Sequence, residues 1–226
     1  MQTRLLDHLH KNNIISEEQY RFQKGLTTEN ADYKVINKML NALNNKQIVG
    51  GIFCDLTKAF DCVDHDILIQ KTEKYGVIGK AKELFHSYTK GRYQRVLIDN
   101  KTNRNTTVSN RAMIKHGVSQ GSILGPTLFL LYINNLPAVV NKKATPVLFA
   151  NDTSILSTHH NFMEYHVNIE TVFENVNTRV GTLIVAKIYL QLIQNRYMFR
   201  SFTVLHCSHQ HCVQPVASDV EVVGYL

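Results

Sequence analysis

Cysteine is scarce in this 226-residue chain: Cys54, Cys62, Cys207 and Cys212 are all there is, and they are unevenly spaced. Four thiols so placed do not make the disulfide framework of a small secreted domain, which favours a reduced, intracellular setting with nucleus and cytoplasm both open. Long apolar runs are also missing. The longest, residues 123 to 140, is broken by Gly125, Pro126, Asn134, Asn135 and Pro137 and makes a poor membrane span. No charged-then-apolar leader opens the chain, and it has no internal repeat and no low-complexity tract, so the expectation is a soluble protein off the membrane. What is present is 44% hydrophobic and 19% charged residues, enough apolar material for one sizeable core.

Acidic residues are nearly absent from one region. Between Lys80 and His116 stand nine basic residues, Lys80, Lys82, Lys90, Arg92, Arg95, Lys101, Arg104, Arg111 and Lys115, against Glu83 and Asp99 only. The formal net charge of +7 therefore sits in that segment, and the rest of the chain is balanced. Concentrated positive charge suits a surface that tracks phosphates, although a solvated face has the same composition.

Periodicity orders the remainder. Ser16 and Gln19 form a capping-box pattern that predicts a short helical turn. A helix should follow Thr28, its apolar face made of Ile36, Met39, Leu40 and Leu43 and its end at Asn44-Asn45. IVGGIFCDL, residues 48 to 56, reads as a buried strand with the lone acid Asp55 near its end. Asp64 caps a helix running to Gly76, and a second helix fits 80 to 90 before Gly91. Residues 93 to 98 predict a strand, 99 to 105 its polar turn and 106 to 118 an irregular return. Pro126 opens an apolar helix that Pro137 should stop. VLFANDTSIL, residues 147 to 156, is two strand-like runs pinched around Asn151 and Asp152, a hairpin by itself. The pattern predicts an α+β fold, an antiparallel sheet with helices packed on one face.

Three stretches in this order, IFCDLTKAFDCVDHDIL (52 to 68), HGVSQGSILGPTLFLLYINNLP (116 to 137) and LFANDTSI (148 to 155), resemble the central palm motifs of reverse transcriptases of non-LTR retrotransposons, the jockey and LINE-like elements. QYRFQKGLTTENA, residues 19 to 31, is similar to the same family's fingers-to-palm segment. The resemblance implies a right-hand polymerase palm at 51 to 176, partial fingers at 1 to 50 and, at 177 to 226, a diverged or frameshifted tail. The family's triphosphate-clamping fingers residues would precede Met1, and its later palm strand with a lysine, and its thumb, are not recognisable beyond about Asn177.

The implied reaction is RNA-directed DNA synthesis, in which deoxynucleoside triphosphates are joined to a DNA primer 3′ end on an RNA template. That phosphoryl transfer needs negative charge neutralised on the attacking, transferred and leaving oxygens, work for two Mg²⁺ (or Mn²⁺) ions held by carboxylates. By resemblance Asp55 would bridge both metals, and Asp152 would be the second carboxylate of the hairpin turn. Phe60 would sit under the incoming sugar and exclude a 2′-hydroxyl. Gln120 and Gly121 would meet the incoming nucleotide and template, and Lys90, Arg92, Arg95, Arg111 and Lys115 the nucleic-acid backbone. Taken singly, each has a plainer reading: Asp55 a strand-terminal turn acid, Phe60 a core residue, Gln120 and Gly121 a loop. Asp61 and Asp64 read as turn and cap formers.

One position departs from the family pattern at its centre. Where the family has two adjacent aspartates after an aromatic-small pair, this chain has Phe149, Ala150, Asn151 and Asp152. Asn151 keeps a carbonyl oxygen and loses a full charge, so the resemblance implies impaired catalysis, with a nucleic-acid-binding relic as the alternative. In the tail, HCSHQHC gathers His206, Cys207, His209, His211 and Cys212 within seven residues. Structural zinc sites join two separated ligand pairs, which argues against zinc here.

Overall fold

The computed structural model describes residues 1–56, 58–100, 105–119, 121–140, 143–183, 186–193 and 202–207, the last two stretches as backbone. In chain order the elements are helices α1 (Gln2–Lys11) and α2 (Thr28–Asn44), strand β1 (Ile48–Asp55), helices α3 (His65–Lys74) and α4 (Lys80–Thr89), strands β2 (Tyr93–Gln94), β3 (Leu97–Asn100), β4 (Asn105–Val108) and β5 (Ala112–Met113), helices α5 (Gly125–Ile133) and α6 (Leu136–Val140), strands β6 (Thr145–Phe149) and β7 (Asp152–His159), helix α7 (Phe162–Leu183), and strands β8 (Ala186–Ile193) and β9 (Phe202–Cys207).

One five-stranded sheet, in the order β6-β7-β1-β8-β9 and antiparallel throughout, carries the fold. Two small ladders, β2 with β5 and β3 with β4, stand apart from it. The mixed class and antiparallel sheet agree with the sequence expectation.

Alternation along β1 sorts the layers. Ile52 and Cys54, together with Leu148 of β6 and Ile155 of β7, join the main core with Leu5 and Leu9 of α1, Leu68 of α3, Leu128, Phe129 and Tyr132 of α5, and Ile169, Val172 and Val176 of α7. Residues Thr127 to Ile133 of α5 are buried all round, as a helix apolar on every side must be. Val49 faces the other way and packs on Ala42, Met39 and Leu43 of α2. Helices therefore lie on both faces, correcting the one-face expectation: α2 covers the far end of the second face and leaves the Asp55 end of it uncovered by the core.

Local signals worked where their partners were near in sequence. The Asp64 side chain accepts from the Ile67 N–H at 2.9 Å and starts α3. Gly76 and Gly91, both at positive φ, follow α3 and α4. Four expectations differ. Ser16 to Gln19 close a single turn, the Gln19 N–H donating to the Ser16 carbonyl at 3.2 Å, but no helix follows; the Ser16 hydroxyl bonds Glu18, and Gln19 makes a parallel bridge to Leu148. The start of α2 is a capping box between Thr27 and Asn30, and two of its expected core residues, Ile36 and Leu40, are 55% and 53% exposed. Pro137 lies in the first turn of α6, a position where its missing N–H costs nothing, so the Asn134-Asn135 pair makes the break. Beyond residue 176 the chain completes α7 and adds β8 and β9 to the sheet. No described helix is long and apolar enough to cross a membrane.

Candidate functional site

Two strand ends meet at one edge of the sheet. β1 is buried or half-buried up to its last residue, Asp55, which is exposed. The hairpin of β6 and β7 turns through Ala150 and Asn151, and β7 opens with Asp152, the Cα partner of Asp55. Directly opposed residues of an antiparallel pair project from the same face with Cβ atoms about 5 Å apart, so the two acids stand side by side on the face opposite the main core. Asn151 leans across the gap and its Nδ2 donates to Asp55 Oδ1 at 3.2 Å.

The turn is strained and pinned. Ala150 has φ +59°, and a non-glycine residue in that region costs about 1–2 kcal/mol. Two hydrogen bonds from outside the hairpin hold it: Ala150 N–H donates to Gln19 Oε1 at 3.1 Å, and Leu56 N–H donates to the Asn151 carbonyl at 3.2 Å. Gln19, 3% exposed, is the residue that sequence reasoning missed. The segment around it was singled out, but its burial depends on a strand 129 positions away, Leu148.

Burial, reinforced by the neighbouring Asp55 charge, raises the Asp152 carboxyl above the usual carboxylate range. Among the described side chains, which exclude that of Lys187, no Lys, Arg or His forms an ion pair with either acid. Two carboxylates and an amide are hard oxygen donors, the chemistry Mg²⁺ prefers, and Mg²⁺ is commonly held by one or two carboxylates plus water and substrate phosphate. The residues therefore fit one such cation. A second has less to hold it: among the described residues no group of three or more acidic, His or Cys side chains is placed to hold a metal ion, and the Asn151 amide presents a hydrogen-bond donor to Asp55.

Phe60 lies five residues after Asp55, partly buried, its ring centroid 4.8 Å from that of Phe129. Its loop is stitched to the segment before Gly121: Val118 N–H donates to the Phe60 carbonyl at 2.8 Å, and Gly117 N–H to the Val63 carbonyl at 2.7 Å. The approach at Gly117 admits no side chain, since a Cβ there would lie 2.8 Å from the Asp61 carbonyl oxygen. His65, buried, bonds the Gly117 carbonyl through Nε2 at 2.7 Å. Gly121, at φ +75°, is open around its Cα and lets another molecule approach its backbone. Gln120 falls outside the described residues, as do His209, His211 and Cys212.

The basic residues divide. Lys90 is ion-paired with Asp66. Arg92 turns inward, with Nη2 donating to Ser119 Oγ at 2.9 Å and the guanidinium 5.3 Å from the Tyr88 ring centre, and so braces the loop before Gly121. Arg95 and Arg111, just beyond the paired Gln94 and Ala112, and Lys115 are exposed and form no ion pair among the described residues. On the other side of β1, β8 places Lys187 at the register position opposite Asp55. The sequence had shown no palm strand with a lysine in this region; the pairing supplies a strand and a lysine there.

The family model "Reverse transcriptase (RNA-dependent DNA polymerase)" matches residues 1–188. The chain is 29% identical over 165 residues to the probable RNA-directed DNA polymerase from transposon BS of Drosophila melanogaster, covering 68% of this chain and 17% of that protein. It is 30% identical over 183 residues to the RNA-directed DNA polymerase from mobile element jockey of the same species, covering 72% of this chain and 18% of that one. It thus spans under a fifth of the length of these relatives. Among solved structures, a truncated apo telomerase of Candida tropicalis shares the fold with TM-score 0.58 at 16% identity, covering 91% of this chain and 42% of that one. A Candida albicans telomerase in complex with a telomeric RNA fragment does so with TM-score 0.57 at 11% identity, covering 92% and 37%. The chain belongs to the reverse transcriptase family and is similar to the RNA-directed DNA polymerases of mobile elements.

Proposed function

We propose that this chain is the palm of a retrotransposon RNA-directed DNA polymerase, joining deoxynucleotides to a DNA primer on an RNA template, and that this copy is catalytically impaired. The observation that supports the reading is the pairing of Asp55 with Asp152 at one sheet end, with Asn151 bonded to Asp55 between them. In this reading residues 1–50 are a fingers-to-palm segment and the palm begins near 51. Because β8 and β9 extend its sheet, it runs past 176.

When bound, Mg²⁺ or Mn²⁺ supplies charge neutralisation on the attacking, transferred and leaving oxygens. The two carboxylates hold the cation. Phe60, braced by Phe129, blocks a 2′-hydroxyl on the incoming sugar. The Gly121 backbone, with Gln120 beside it, faces nucleotide and template, and Arg95, Arg111 and Lys115 meet phosphates. Lys90 and Arg92, engaged within the protein, contribute less. Asn151 removes one anionic ligand. Metal stabilisation is worth several kcal/mol and each 1.4 kcal/mol is about tenfold, so the loss is on the order of a thousandfold.

The test is Mg²⁺-dependent primer extension on an RNA template by the unaltered chain and by Asn151→Asp. The expected result is little synthesis by the first and recovery in the second. Robust synthesis by the unaltered chain would remove the impairment, and absence of recovery would count against the metal assignment.

A second reading, a non-catalytic nucleic-acid-binding relic, is favoured by the three exposed cations that no described acid neutralises. It expects RNA binding that weakens steeply with salt and survives Asp55→Ala; salt-independent binding would remove it.

A further inference from the structure

We infer that Gln19 is a positioning residue for the metal-site turn: its buried carboxamide oxygen holds the backbone of Ala150, and through it fixes Asn151 and Asp152 against Asp55. The inference rests on the proposed metal site only for the meaning of the position, not for the geometry.

In a two-residue hairpin turn the N–H of the first turn residue points away from the ladder and finds no strand partner. Ala150 is buried, so that N–H needs an acceptor from elsewhere. Gln19 Oε1 provides it at 3.1 Å and also takes the Arg21 N–H at 3.0 Å. The carboxamide is itself held in place. Tyr20 N–H donates to the Leu148 carbonyl, and Leu148 N–H to the Glu18 carbonyl, both at 2.8 Å, so residues 18 to 20 lie along β6 as a short extra strand. Arg21 then stacks its guanidinium 4.8 Å from the ring centre of Phe149, the last residue before the turn.

Residue type follows from location. An apolar side chain would leave the Ala150 N–H buried and unpaired, and a carboxylate would add negative charge to a turn that already carries Asp152 beside Asp55. Glutamine offers an acceptor without charge. Its Nε2 has no hydrogen-bond partner among the described residues, and the oxygen carries the contact to the turn.

The experiment compares the full chain with Gln19→Met, which keeps the shape and loses the acceptor, and with Gln19→Glu, which keeps an acceptor. One arm reads amide hydrogen exchange by NMR at Ala150, with Ile52 and Ile155 as references; the other reads paramagnetic broadening of the Asp152 amide during Mn²⁺ titration. Gln19→Met should raise Ala150 exchange about tenfold while the reference amides keep their protection, the signature of one lost buried hydrogen bond. The Mn²⁺ midpoint should move to higher concentration in the same variant, and Gln19→Glu should retain the Ala150 protection. Unchanged exchange at Ala150 in Gln19→Met overturns the inference. Uniform loss of protection, references included, also overturns it, by making Gln19 a staple of the whole fold. Absence of Mn²⁺ broadening in every variant removes the metal reading, and the exchange arm still decides for Gln19.

Discussion

Asn151 Nδ2 lies 3.2 Å from Asp55 Oδ1, a hydrogen bond joining residues 96 positions apart at the tip of the sheet. Replacing that donor with a carboxylate converts an attraction into a repulsion unless a cation intervenes. Asn151→Asp should therefore lower the thermal midpoint without divalent ions, by about 2–4 °C for each kcal/mol lost, and should gain more from added Mg²⁺ than the unaltered chain. Thermal unfolding with and without Mg²⁺ checks both; equal midpoints in all four conditions would contradict the arrangement.

The raised Asp152 carboxyl gives a pH dependence of definite sign. Burial first, and the Asp55 charge second, make its folded form hold a proton more tightly than the unfolded chain does. Its ionisation therefore destabilises the fold as pH climbs from the unfolded value, about 3.9, through the raised folded one. Asp152→Asn removes that penalty. Without divalent ions, its stability advantage should grow across this window and level off above it, as read by denaturant unfolding at a series of pH values.

Gly117 is held where no β-carbon fits, at φ +89° and against the Asp61 carbonyl. Gly117→Ala should cost about 1–3 kcal/mol through backbone strain and displacement of the loop at residues 58–64. Chemical denaturation gives the loss. Chemical-shift changes at Phe60, which accepts from the neighbouring Val118 N–H, would show the displacement.

Phe129 is fully buried and supports the Phe60 ring. Phe129→Ala should cost about 3–5 kcal/mol, and Phe129→Leu less because more of the volume is retained. Where activity is recovered with Asn151→Asp, adding Phe129→Leu should relax discrimination between deoxy- and ribonucleotides. Unchanged discrimination would place the gate elsewhere.

For RNA binding, removing Arg95, Arg111 and Lys115 together should flatten the slope of log affinity against log salt by about 2, from roughly 0.7 per phosphate contact on a single strand. Lys90→Ala should change it little, because Asp66 already neutralises that ammonium. Equal slopes for both variants would mean that the exposed trio does not face phosphate.

The legible parts of the fold are those whose causes lie close together in the chain. The buried run ending at Asp55, the Asp64 cap, the glycines after α3 and α4, and the hairpin around 150 and 151 each announce themselves within about ten residues. The juxtaposition of Asp55 with the hairpin turn was legible for a related reason: the three motifs together resemble one family, and that resemblance implies a strand-end acid beside a hairpin turn.

Other features were illegible because distant partners decide them. Ser16 and Gln19 satisfy a helix-start pattern, yet Gln19 has more to gain from the open edge of β6 and the orphan N–H of Ala150. The apolar positions of α2 exceed what the sheet can cover, so Ile36 and Leu40 remain outside while Ala42 is buried. A lysine at 187 acquires meaning only when β8 pairs with β1 and brings it opposite Asp55.

The amino-acid sequence by itself determined the family, most of the element types and the Asn151-Asp152 turn, because apolar period, turn chemistry and residue identity are local properties of the chain. Only the tertiary structure decided which backbone groups would otherwise be orphaned at the turn, which basic side chains are engaged by described partners and which face of the sheet carries the acids. Those outcomes depend on strand register and on hydrogen bonds between residues a hundred or more positions apart, which no local pattern encodes.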